Sequence, residues 1–106
     1  MNNVMPFRRP ALRVGDKVAY QGPELSIISL WTGHPGTVAL AEFDPLAGYA
    51  IPWVEFFRGP ILDLDPRDLK RLDTVSFHRR IRRLEKGQHP LEDRPVLAFE
   101  PAAPPE

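Results

Sequence analysis

The stretch from Arg13 to Leu72 constrains the fold most, because short segments of alternating apolar and polar residues recur there between glycines and prolines. Alternation with a period of two is typical of a strand with one face in a core and the other in water. Turn-forming pairs such as Gly22-Pro23, Asp44-Pro45 and Gly59-Pro60 separate the segments. The sequence therefore predicts a mainly β domain of about five short strands.

The predicted elements follow one another closely along this stretch. In chain order they are a strand over 13–20, a long loop over 21–35 with one short helical turn, strands over 36–43, 49–57 and 61–64, a tight helical turn over 65–69 and a last short strand. Val38 and Leu40 are predicted to share one face of their strand. Pro52 has no N–H to donate to a neighbouring strand, so we expect it at an edge or a bulge.

From Thr74 the period of the apolar residues changes to 3.6, which predicts an amphipathic helix over 73–87. Phe77, Ile81 and Leu84 lie within a narrow arc of this helix. Asp73 or Thr74 is the expected N-cap, and Gly87 stands where a left-handed C-terminal residue is expected. The side opposite the apolar arc is basic, with Arg79, Arg80, Arg82, Arg83 and Lys86.

The two ends of the chain lack such periodicity. Residues 1–12 read as a flexible arm, and residues 88–106 as a Pro-rich tail with one apolar patch at Val96–Phe99. A chain of 106 residues with 42% hydrophobic residues supports one modest core. We therefore expect a single domain over 13–72, followed by the helix and the tail.

The composition argues against several functional classes. There is no cysteine, and His34, His78 and His89 lie in a loop, on the helix and in the tail without forming a His-x-x-x-His pair. We therefore predict no catalytic residue, no metal site and no cofactor. Asp63, Asp65 and Asp68 offer carboxylates for a hard cation, but capping a short helical turn explains them equally well. The longest nearly apolar stretch, 49–54, is far shorter than the roughly 20 residues that span a bilayer. With no targeting signal in the N-terminal residues, the expected location is cytoplasmic.

Four motifs carry a family resemblance. Val14-Gly15-Asp16-Lys17-Val18, Gly36-Thr37-Val38, Trp53-Val54-Glu55-Phe56 and Asp68-Leu69 with Leu72 resemble small bacterial SH3-like domains, including KOW-type and ferredoxin-thioredoxin-reductase-variable-chain-like barrels. The resemblance implies a small SH3-like barrel over 13–72. It also implies a fold that binds more often than it catalyses, commonly through an aromatic-lined groove between loops.

Large aromatic residues are the first candidates for such a groove. Trp31, Tyr49, Trp53, Phe56 and Phe57 are more rings than a barrel of about 60 residues buries completely. Trp31 in the long loop and Phe57 near the turn at 58–60 are predicted to line the groove. Ordinary core packing is the alternative for each ring.

The basic side of the helix is the second candidate surface. Its five residues suit an acidic protein surface or nucleic-acid phosphates, whereas solvation or pairing with the acidic 41–68 stretch would give them no partner role. Phe77, Ile81 and Leu84 offer a seam for a second copy of the chain. We predict a non-enzymatic protein-interaction or regulatory module, such as an accessory subunit or inhibitor of a larger complex. Nucleic-acid binding is the alternative, and the zero net charge disfavours it.

Overall fold

The computed structural model describes residues 11–96 and shows one antiparallel sheet followed by a helix. The strands are β1 (Lys17–Tyr20), β2 (Pro35–Asp44), β3 (Tyr49–Phe56), β4 (Ile61–Asp63) and β5 (Leu69–Arg71), and the helix is α1 (Thr74–Glu85). Short 3-10 turns span Ser26–Ile28 and Pro66–Asp68. The order across the sheet is β4-β3-β2-β1-β5. The prediction of a mainly β fold with five strands and one C-terminal helix is confirmed.

The sheet is open, which corrects the expectation of a barrel. In residues 11–96, β4 and β5 form the two edges of the sheet and do not pair with each other. Each edge strand has only three residues, too few to supply the long tilted pairing that closes a barrel. The predicted arm before Ala11 and the tail beyond Val96 lie outside the described residues.

One face of the sheet, here called the inner face, carries the main core. Val18 and Tyr20 of β1 point to this side, and Gly36 lets β2 approach β3 closely, because a Cβ there would lie 2.7 Å from Cγ1 of Val54. The buried cluster consists of Val18, Tyr20, Leu30, Val38, Val54, Phe56 and Leu69. The motifs around residues 14–18, 36–38 and 53–56 therefore meet in one core.

A β-bulge in β2 changes which residues face the core. Val38 pairs with Val54, but the next pair joins Leu40 to Trp53, so Ala39 is an extra residue. Because an extra residue reverses the alternation, Leu40 lies on the opposite face from Val38 and is 46% exposed. The prediction that Val38 and Leu40 share a face is wrong for this reason.

Helix α1 begins and ends close to the predicted positions. Asp73 is the N-cap and accepts a hydrogen bond from the backbone N–H of Ser76 (2.7 Å). At the other end Gly87 has φ 76 and donates to the carbonyl of Leu84 (2.9 Å), which is a Schellman-type ending. No helix within residues 11–96 has the length and apolar character needed to cross a membrane.

The helix packs on the outer face of the sheet, opposite the main core. Phe77 and Leu72 form a second buried cluster with Ala19 of β1, and Ile81 packs against it. Leu84 is also buried. The seam that was a candidate for a second copy is thus occupied within the chain.

The first part of the predicted loose tail is folded. His89 is 1% exposed, and its Nε2 is 2.7 Å from Oε1 of Glu24. Because Nδ1 accepts from the N–H of Leu91 (3.0 Å), Nε2 carries the proton and donates to Glu24. Arg94 also donates to Glu24. Residues 87–96, here called the strap, therefore tie the end of α1 to the loop at 21–34.

Candidate functional site

A groove of about 560 Å³ lies between the far half of the β2–β3 hairpin and the segment Asp65–Arg71. Its walls are mainly small or aliphatic side chains, namely Leu12, Ala41, Ala50, Pro52 and Leu69. Polar groups of Tyr49, Asp65, Arg67 and Arg71 stand among the lining residues. The groove is thus an apolar depression with a charged border.

The groove exists because the strands of the open sheet differ in length. β1 pairs with β2 only over Pro35–Thr37, whereas β2 continues to Asp44 with β3 as its sheet neighbour. The inner face of this projecting hairpin carries Ala41 and Pro52, a directly paired set of compact residues. No described strand lies opposite them, so the space stays open.

The hydroxyl of Tyr49 fixes one border of the groove by donating to Oδ2 of Asp65 (3.0 Å). Asp65 also caps the following 3-10 turn, where it accepts from the backbone N–H of Arg67 (2.8 Å) and pairs with its guanidinium (2.9 Å). The hydrogen bonds from Arg67 hold the pKa of Asp65 well below its usual range. The hydrogen bond to Asp65 raises the pKa of Tyr49. Hydrogen bonds and one ion pair centred on Asp65 therefore hold Tyr49 and Arg67 in place at this border.

Arg71 fixes the other border. Its Nη2 donates to Oδ2 of Asp16 (2.7 Å) and to the carbonyl of Ala11 (3.0 Å). The hydrogen bond from Arg71 lowers the pKa of Asp16. Leu12, next to the anchored Ala11, packs against the main core cluster. The chain leading into β1 is thereby held as a wall of the groove.

The two aromatic residues predicted to line a groove are not brought together. Trp31 is 7% exposed, and its indole N–H has no hydrogen-bond acceptor in the described part of the chain. Phe57 is half-buried below the guanidinium of Arg58 and lines a separate recess of about 220 Å³ beside Phe77. The aromatic residue that lines the larger groove is Tyr49, for which the sequence analysis left core packing open. Sequence reasoning missed Ala41 and Ala50, because small residues in a strand carry no signal of a depression.

The five basic residues of α1 divide into two sets. Arg80 donates to the carbonyl of Gly33 (3.1 Å), and Arg83 donates to the carbonyl of His89 (2.9 Å) and pairs with Asp93 (2.8 Å). These partners belong to the 21–34 loop and the strap, rather than to the acidic 41–68 stretch. The exposed residues Arg79, Arg82 and Lys86 are here called the basic stripe, and their side chains make no ion pair or hydrogen bond within residues 11–96.

Carboxylates and histidines do not converge anywhere in residues 11–96 to form a group of three suited to a metal ion. Comparisons of the chain with protein-family models, with curated proteins and with solved structures found no match.

Proposed function

We propose that this chain is a non-enzymatic protein-interaction module that binds an extended, apolar segment of another protein in the groove. The observation that carries the proposal is the apolar floor of Ala41, Ala50 and Pro52 in a depression of about 560 Å³ with fixed borders. Binding pockets are typically concave and mainly apolar, with a few polar groups that orient the ligand.

The backbone beside the groove suits an extended ligand. Beyond Val38, the edge of β2 that faces away from β3 makes no backbone hydrogen bond to another described strand. An extended segment pairs readily with such an edge, while its alternate side chains enter the adjacent depression. The guanidinium of Arg67 is largely exposed at the border and is placed to donate to a ligand carbonyl or carboxylate.

Nucleic-acid binding is the alternative, and the basic stripe is the feature that favours it. Only three of the five predicted cations are left for phosphates, because Arg80 and Arg83 are hydrogen-bonded within the chain. Such binding by three contacts would weaken with salt at a log–log slope of about 3 on duplex DNA. The groove, by contrast, has an apolar floor suited to a protein segment.

A selection experiment tests the groove. A random peptide library is panned against the wild-type chain, against Ala41→Arg and against Ala39→Arg. Ala41 lines the groove, whereas Ala39 is the exposed extra residue of the bulge and does not line it. We expect the wild type and Ala39→Arg to enrich the same apolar peptides, and Ala41→Arg to bind those peptides at least about tenfold more weakly.

The proposal is overturned if no peptide is enriched, or if enriched peptides bind Ala41→Arg and the wild type equally well. Unfolding curves of both variants show whether each is folded. If Ala41→Arg is unfolded, Ala50→Arg replaces it, because Ala50 lines the same groove from β3.

A further inference from the structure

Within residues 11–96, the half of the outer face beyond α1 is not covered by another element. Helix α1 packs over β1 and contacts β2, while β3 and β4 extend beyond it. On this uncovered half Leu40 is 46% exposed and Ile61 is 57% exposed, and Trp53 is half-buried beside its strand partner Leu40. A contiguous apolar patch on a small domain marks an interaction surface.

Unpaired carboxylates surround this patch. Glu42, Glu55 and Asp63 lie on the same side as Trp53, as the alternation and the register of β2, β3 and β4 place them. All three are exposed, and none forms an ion pair within residues 11–96. Five other carboxylates are paired with arginines, namely Asp16, Glu24, Asp65, Glu92 and Asp93. The uncovered half, here called the acidic face, is therefore apolar at its centre and negative around it.

Lys17, a base on the same side of the sheet, does not neutralise the acidic face. Lys17 lies in one row of the sheet with Thr37 and Glu55. Its ammonium group donates to Oγ1 of Thr37 (3.3 Å) and stands 4.9 Å from the ring centroid of Phe77. Glu55 stays exposed, and although Arg58 lines the same recess, the two do not form an ion pair among the described residues.

The basic stripe is complementary to the acidic face in charge and in length. Arg79, Arg82 and Lys86 follow the i, i+3, i+7 spacing, so they form a line of about 10 Å on the side of α1 turned away from its own sheet. Val75, which is 63% exposed, continues that line. The acidic face runs about 13 Å along β3, from Ile51, the partner of Glu42, to Glu55.

We infer that the acidic face is the docking site for the basic stripe of a second copy of this chain. The stripe points away from its own sheet, so it pairs with an acidic face only between molecules. Because α1 and the acidic face lie side by side on the outer face, a two-fold axis places the helix of each copy on the uncovered half of the other. Such a contact is self-complementary and closes as a dimer. The groove lies on the inner face, so this inference does not depend on the proposed function.

Charge reversal on each surface tests the dimer. Sedimentation velocity is measured in low salt at high micromolar concentration on the wild type, on Glu55→Arg/Asp63→Arg and on Arg79→Glu/Arg82→Glu. We expect a wild-type dimer that dissociates in molar salt, and two variants that each self-associate at least about tenfold more weakly. Mixing the two variants should restore a dimer of two chains, because both reversed contacts are again opposite in sign.

Arg13→Glu/Arg67→Glu is the matched control, because it changes the net charge as much as the helix variant but lies in the turn before β1 and at the groove. It should dimerise like the wild type. A wild type that is monomeric under these conditions overturns the inference, as does a dimer that survives both charge reversals. Equal weakening by the control would also overturn it. Ala41→Arg should leave dimerisation unchanged, which separates a failure of the dimer from a failure of the groove.

Discussion

At the scale of single residues, His34 is an internal connector between the 21–34 loop and β3. Its Nδ1 accepts from the backbone N–H of Trp31 (3.3 Å), and its Nε2 donates to the carbonyl of Phe57 (2.9 Å). The ring also meets Phe56 edge-on at 5.6 Å. In the sequence, a histidine between Gly33 and Pro35 is typical of a loop. No local pattern indicates that its Nε2 donates to Phe57, which is 23 residues away.

The burial of His34 predicts a pH dependence of folding. Desolvation, opposed by the hydrogen bond to Phe57, lowers the pKa of His34 to about 4 from an unfolded value of 6.5. The unfolded state therefore binds the proton first as pH falls. Stability is full above pH 6.5 and is lost progressively down to pH 4, by about 2 kcal/mol between pH 7 and pH 5. Urea unfolding at a series of pH values measures this loss.

The variant His34→Asn tests whether His34 causes this pH dependence of stability. It should be less stable than the wild type at pH 7, because at least one hydrogen bond is lost, yet it should lose clearly less stability between pH 7 and pH 5. If both proteins lose stability equally over that window, His34 is not the responsible group.

At the scale of elements, helix α1 was predictable and the bulge in β2 was not. The period of Phe77, Ile81 and Leu84 and the residues at both helix ends are local features, and they act within a few residues. The bulge at Ala39 depends on how β2 fits β3, which a single strand does not encode. The groove floor follows from that bulge, since it turns Ala41 inward, and so the groove was equally unpredictable.

Packing of α1 on the sheet predicts the cost of removing Phe77. This ring is 7% exposed in the cluster with Ala19 and Leu72. Phe77→Ala should lower the free energy of unfolding by about 3 kcal/mol, as expected for a buried aromatic ring. Val75→Ala, on the exposed side of the same helix, should change it by less than about 0.5 kcal/mol. Chemical denaturation of the two variants makes the comparison, and equal effects would mean that α1 is not docked as described.

At the scale of the whole molecule, the strap joins the last described residues to a loop near the start of the domain. Glu24 accepts hydrogen bonds from the buried ring of His89 and from Arg94. Leu91 packs against Gly33 so closely that a Cβ at position 33 would lie 2.5 Å from Cγ of Leu91. The sequence predicted a loose tail here because prolines and charges dominate residues 88–96. The pairing of one glutamate with two residues far along the chain left no periodic signal.

Removing the carboxylate of Glu24, which accepts from both His89 and Arg94, tests whether the strap stabilises the fold. Glu24→Ala leaves the buried N–H of His89 without its acceptor, which should cost about 1 to 3 kcal/mol of unfolding free energy. Glu85→Ala, an exposed carboxylate on α1, is the control and should have little effect. The measurement is urea unfolding at pH 7, and a loss no larger than that of the control would show that the strap does not contribute to stability.

The strap also sets when the protein finishes folding as it is synthesised. Glu24 and His89 are 65 residues apart, and Glu24 and Arg94 are 70 apart, so these contacts close nearly the longest loop that the described chain allows. At about 5 to 20 residues per second, several seconds separate the synthesis of Glu24 from that of its partners. During that interval the loop at 21–34 lacks its last anchor, because its contacts with the strap can form only after residues 89–94 have been synthesised.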